Sequence, residues 1–218
     1  MKELKGINHP VRRLIFLCAG LIIMAFGVAF SIQAGLGTSP ISSVPYATSE
    51  ISGLSVGTTT IIMNFLFVLI QIAILRRQYD WFQILQFPAA ILFGTVIDLA
   101  ERFIRSITYS NYMEQWLLCL IGIFLIAFGV SMEVMANLVT TAGEGIVLAI
   151  CKVVPIKFGN MKMIFDVTLV CIAIILALLF LGRLSGVREG TIAAAILVGQ
   201  ITKQTNKLMK KVEKRMLA

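Results

Sequence analysis

The sequence predicts an all-α membrane protein: an internally duplicated helical bundle with about six full spans and two short or re-entrant helices. Three observations predict it. The chain is 58% hydrophobic and 14% charged, with a mean hydropathy of +0.92, more apolar surface than a soluble domain of this length can bury. Its apolar runs approach the ~20 residues that match the hydrocarbon thickness. The first half also recurs in the second: Gly20, Ala25, Phe26, Gly27 and Val28 reappear as Gly122, Ala127, Phe128, Gly129 and Val130, 102 residues on.

In chain order, spans are expected at Leu14–Ile32, Thr58–Leu75, Phe82–Leu99, Trp116–Met135, Met163–Leu181 and, shorter, Gly190–Thr202. The first is too long for a signal peptide and lacks a clean cleavage site. The same offset carries Ala34 to Ala136, Leu36 to Leu138, Thr38 to Thr140, Ala47 to Ala149 and Gly57 to Gly159, and places Asn64 opposite Asp166. Further on it becomes 105, pairing Ala90 and Gly94 with Ala195 and Gly199, so three residues were added near Gly182–Gly190. The repeats therefore run over 13–105 and 115–208, and 203–218 forms a basic tail. Duplicated membrane proteins place sites between their repeats.

Two stretches break the pattern of spans, Gly35–Gly53 and its partner Asn137–Pro155. Each opens with a small-residue loop and continues as a helix of about 14 residues, roughly 21 Å long and short of the ~30 Å core. In the first, Ser39 is the expected N-cap and Pro40 the first helical residue. Non-helical chain at membrane depth is tolerated where it lines a protein-walled cavity, and the N–H groups of a helix start suit an anion. A surface loop with a short interfacial helix is the plainer alternative. The candidate substrate-binding residues are Thr38, Ser39, Ser42, Ser43 and Asn64 from one repeat, and Thr140, Thr141, Glu144 and Asp166 from the other. Glu144 is either a helix-start stabiliser or a proton or cation site. Lys162, one turn before Asp166, makes either a structural salt bridge or a substrate contact. Glu133 closes its span, and Asp98 with Glu101 near Arg102 and Arg105 reads as an interfacial charge cluster.

The net charge of +8 gathers at the ends. Lys2, Lys5, Arg12 and Arg13 precede the first span, while Lys203, Lys207, Lys210, Lys211, Lys214 and Arg215 follow the last, so both termini are expected in the cytoplasm. The tail, with Leu208, Met209, Val212 and Met216, is amphipathic and suits anionic lipid, not nucleic acid. Re-entrant short helices give three crossings per repeat and inverted repeats; crossing ones give four and parallel repeats. Either way 4 of the 19 Lys and Arg fall outside, so charge does not decide. The readable identity between the halves leans to parallel, the short helices to inverted.

Cys18, Cys119, Cys151 and Cys171 lack metal-ligand spacing and read as small core residues; His9 is juxtamembrane. Ala90-xxx-Gly94, Ala195-xxx-Gly199, Ala25-xxx-Ala29 and Ala127-xxx-Ser131 are small-residue faces for packing within the bundle or for a homodimer. No HExxH, nucleophile elbow, P-loop or dense His/Asp/Glu cluster is present, so neither an enzyme nor a cofactor or metal is expected.

With its small-residue loop, short helix, Gly53-Leu-Ser-Val-Gly57 turn and following span with Asn64, the chain resembles the YczE/YitT-like family of bacterial membrane proteins. The likeness extends through Gly94 and Asp98. YitT-type members carry a Pro-Gly-Gly loop where this chain has Gly37-Thr-Ser-Pro40, and a soluble domain after the membrane part; this chain has neither and is similar to the shorter YczE-type branch. The resemblance implies a polytopic protein of the bacterial plasma membrane with a presumed transport role. The expected function is a secondary transporter of a small polar or anionic solute, with the lipid bilayer and that solute as partners. A membrane scaffold for a partner enzyme, or the substrate-binding subunit of a larger importer, are the competing expectations.

Overall fold

The computed structural model describes residues 9–216, and side chains through 207 together with that of Met209. Eight α-helices carry the fold: α1 Pro10–Ala34, α2 Pro40–Ser52, α3 Val56–Leu75, α4 Gln86–Ile104, α5 Tyr112–Ala136, α6 Ala142–Val153, α7 Phe158–Leu181 and α8 Glu189–Met216. Two short 3₁₀ turns, Arg76–Gln78 and Trp81–Leu85, join α3 to α4. Helices α5, α6 and α7 begin 102 residues after α1, α2 and α3, respectively.

Among the described residues, five helical stretches are long and apolar enough to span a bilayer: Pro10–Ala34, Val56–Gln78, Trp81–Ile104, Tyr112–Ala136 and Phe158–Leu181. The expected sixth span, Gly190–Thr202, is the first half of α8, whose second half is rich in lysine. Much of the tail reading falls on side chains outside the described residues, namely those of Leu208, Val212 and Met216.

Helix directions follow from which residues meet. Helices α1 and α5 pack antiparallel, with Gly20 against Gly129 and Gly27 against Gly122. At the end of this seam the Arg13 guanidinium donates to the Ala136 carbonyl at 3.0 Å. A Cβ on Gly20 would stand 2.9 Å from the Gly129 oxygen, and one on Gly129 would stand 2.6 Å from the Gly20 oxygen. These glycines are what lets the two backbones touch, and that close approach holds helices together where lipid supplies no hydrophobic drive.

Helix α4 runs parallel to α1: Ala29 and Phe30 pack with Ala100 and Ile104, and the Gln33 amide donates to the Ile107 carbonyl at 2.6 Å. Helix α8 likewise follows α5, with Gly190 on Cys119 and the Thr202 hydroxyl donating to the Ala127 carbonyl at 3.3 Å. Helix α3 returns antiparallel to α4, from the Gly57–Gly94 contact to the Gln71–Gln86 pair. The start of α1 and the end of α8 thus lie on one face of the bundle.

Asp98 lies near Glu101, as expected, and it also caps α3. Its carboxylate accepts the Gly57 N–H at 2.7 Å and the Ser55 hydroxyl at 2.6 Å, an arrangement that also suits the positive end of the helix. The small-residue faces divide in use. Ala25, Ala29, Ala127 and Ser131 are buried in packing, whereas Ala90, Ala195 and Gly199 line a cavity.

A central cavity between two helix starts

Helices α2 and α6 have 13 and 12 residues, about 20 and 18 Å by helical rise, too short to span. Both begin in the interior and end at the surface. Thr38, Ser39 and Ser43 are buried while Ser52, Gly53 and Leu54 are exposed; Ala142 and Gly143 are buried while Val153 and Val154 are exposed. The two starts abut, with Ile41 packed on Gly143, its counterpart at the 102 offset.

Beside this junction lies a cavity of about 330 Å³. Its apolar lining includes Leu21, Met24 and Val28 of α1, Phe93 of α4, Ile126 and Val130 of α5 and Val198 of α8. Its polar lining comes from Ser39 and Ser42 at the start of α2, Thr60 and Asn64 of α3, Gln86 of α4, Thr141 and Glu144 at the start of α6, and Lys162 and Asp166 of α7.

Of the nine residues read from sequence, Ser39, Ser42, Asn64, Thr141, Glu144 and Asp166 line this space. Thr38, Ser43 and Thr140 do not. Thr38 is tied down, its N–H and hydroxyl both donating to the Gly186 carbonyl at 2.9 and 3.3 Å. Ser43 lies on the helix face away from the cavity, its hydroxyl turned back to the Pro40 carbonyl at 2.6 Å.

The N-caps are Ser39, followed by Pro40 as expected, and Thr141. Neither hydroxyl caps its own helix; that of Ser39 donates to the Ser42 hydroxyl at 3.0 Å. At α6, Thr141-Ala-Gly-Glu144 has the spacing of a capping box, in which Glu144 would reach back to the Thr141 N–H. The fold gives that N–H to Glu133 Oε1 at the end of α5 instead. Glu133 is buried, and among the described residues its Oε2 has no hydrogen-bond partner. A carboxylate of the protein itself therefore occupies the helix start where an external anion was expected.

Lys162 and Asp166 form an i,i+4 ion pair at 2.5 Å, about a quarter exposed, with the ammonium 5.9 Å from the Phe165 ring centre. Sequence reasoning read Glu133 only as closing its span and passed over a glutamine network. The Gln71 amide donates to Gln86 Oε1 at 3.0 Å and to the Ala142 carbonyl at 3.1 Å, and the Gln86 amide donates to Gln83 at 2.9 Å. It pins the start of α6 to α3 and α4. Glutamines inside two apolar spans were the available signal, since a buried amide needs partners. Glu50 accepts from Ser185 at 2.7 Å and Arg183 at 3.3 Å, joining the end of α2 to the linker between α7 and α8.

Among known proteins, the chain is similar to the uncharacterized membrane protein YczE of Bacillus subtilis strain 168, 31% identical over 88% of this chain and 84% of the relative. It is also similar to the uncharacterized protein YyaS of the same organism, 28% identical over 84% and 86%. No solved structure matches. The family described as a family of unknown function (DUF6198) matches residues 11–207. Five spanning helices and this match over nearly its whole length make the chain a multi-pass membrane protein that belongs to the DUF6198 family.

Proposed function

We propose that this protein is a secondary transporter of a small polar solute, built from two inverted repeats, 13–105 and 115–208. The observation that carries the reading is the cavity bounded by both short-helix starts, deep between the halves. The common 102-residue offset of helix starts supports the duplication. Antiparallel α1 and α5, with Gly20 on Gly129 and Gly27 on Gly122, support its inversion, because each glycine meets the counterpart of the other. Discontinuous helices whose starts meet around a polar site between repeats recur in secondary transporters. Of the polar and anionic solutes that two helix starts suit, the anionic ones have less support. Glu133 fills one start, and the wall carries two carboxylates to one lysine. The membrane is the bacterial plasma membrane, with the start of α1 and the end of α8 on its cytoplasmic side by the positive-inside rule.

The test begins with a thermal-shift screen of metabolites on the detergent-purified protein, because a ligand that binds only the folded state stabilises it. Solutes that stabilise are then offered to proteoliposomes containing this protein alone. At least one is expected to cross, and Glu144→Gln is expected to abolish or pH-shift that flux at normal expression. If no stabilising solute is carried, the transporter reading fails.

A further inference from the structure

We infer that the cavity takes an organic cation, an ammonium head on an apolar body, with Glu144 as its counter-ion. The inference rests on reading the cavity as a solute site, and it names the chemistry of the solute. Three charged side chains line the wall: Glu144, Lys162 and Asp166. Lys162 and Asp166 are paired with each other at 2.5 Å, which leaves the wall one negative charge in excess. Among the described residues, Glu144 makes neither an ion pair nor a hydrogen bond. The structural role its position offers, the reach back to the Thr141 N–H, is taken by Glu133. The carboxylate is thus a lining group of the cavity that the fold itself leaves without a partner.

The surroundings of Glu144 fit the same ligand. From α7 it feels Lys162 and Asp166, and from the end of α5, Glu133. The lining residues of α1, α2, α3, α4 and α8 bring hydroxyl, amide and apolar groups only. A carboxylate at this depth is costly without a positive partner, and a bound ammonium supplies one. The apolar lining, with Leu21, Met24, Val28, Phe93 and Ile126, suits a hydrocarbon body. At about 330 Å³ the space is roughly twice the ~150 Å³ cavity that takes up benzene, room for a ring and a small charged head. A bare anion would meet two carboxylates for one lysine already paired.

Three probes of one shape separate the charges: trimethyl(2-phenylethyl)ammonium, its uncharged tert-butyl isostere, and 3-phenylpropionate. Affinities are measured on the detergent-purified protein, so the result does not depend on whether any probe is transported. The ammonium is expected to bind at least tenfold more tightly than the isostere, with no binding of the carboxylate. Glu144→Gln is expected to erase that preference while binding the isostere as the parent does, which shows the variant folded. Where Glu144→Gln does not purify, Glu144→Asp takes its place and is expected to keep the preference. Equal or tighter binding of either other probe, an undiminished ammonium preference in Glu144→Gln, a lost one in Glu144→Asp, or no binding at all overturns the inference. A carboxylate that binds and is carried would overturn it while leaving the transporter reading intact.

Discussion

Adding one methyl group at Gly27 should separate the two central helices. An alanine Cβ there would stand 2.7 Å from the Ile126 nitrogen and 2.8 Å from both the Gly122 oxygen and Ile126 Cγ1. Ordinary carbon contacts need about 3.5 Å, so α1 must withdraw from α5 by roughly 0.7 Å at this point. A gap of that order forfeits a quarter to a half of the dispersion energy along the seam, and lipid offers no compensating hydrophobic drive. Overpacking of this kind costs about 1–3 kcal/mol, against a gain of up to ~1 kcal/mol in helix propensity. Gly27→Ala is therefore expected to lose about 1–2 kcal/mol net. Gly159→Ala is the control, because a Cβ there meets nothing within 4 Å; it should be neutral or slightly stabilising. Unfolding in mixed micelles, followed by the fluorescence of Trp81 and Trp116, measures both. Gly122→Ala should behave like Gly27→Ala, and the double variant should lose less than the sum, since the two positions share one contact. A Gly27→Ala midpoint equal to the parent's, or a Gly159→Ala loss as large, would refute the close-approach argument.

Two further outcomes are expected. Asp98→Ala removes the acceptor for the Gly57 N–H and the Ser55 hydroxyl and should cost about 0.5–2 kcal/mol, the usual worth of a cap; Asp98→Asn should retain part of it in the same assay. In a cysteine-free chain, Arg183→Cys should react with an impermeant maleimide on intact cells and Arg76→Cys only after lysis. Labelling of both from the same side would rule out inverted repeats.

Much of the architecture was legible because bilayer physics leaves few options. Apolar runs of span length had to be helices, and Ser39-Pro40 after a glycine-rich loop had to start one. Which face of α2 reached the cavity was only half legible. Ser39 and Ser42, three residues apart, share a helical face, whereas Ser43 is rotated from it by about 100°, a signal strong enough to have set Ser43 aside. Glu133 was out of reach, since its bond to Thr141 depends on how Asn137–Thr140 turns the chain, which no periodicity records. The relative direction of α1 and α5 was silent in the charges. Gly20 and Gly27 with Gly122 and Gly129 recur at one spacing, but only their crosswise contact shows that α1 and α5 run antiparallel.

The glycine seam between α1 and α5 also decides which parts of the molecule are free to rearrange. Where backbone rests on backbone, no side-chain rotamer can absorb a displacement, and parting the helices would open a void along their length. The pair therefore acts as a fixed post. Helices α4 and α8 pack directly on this post, whereas α2, α3, α6 and α7 pack chiefly on one another, so a change of cavity shape falls to that second group. Ile41 on Gly143 joins the two short helices through a side chain, a contact that a change of rotamer can loosen, unlike the glycine seam.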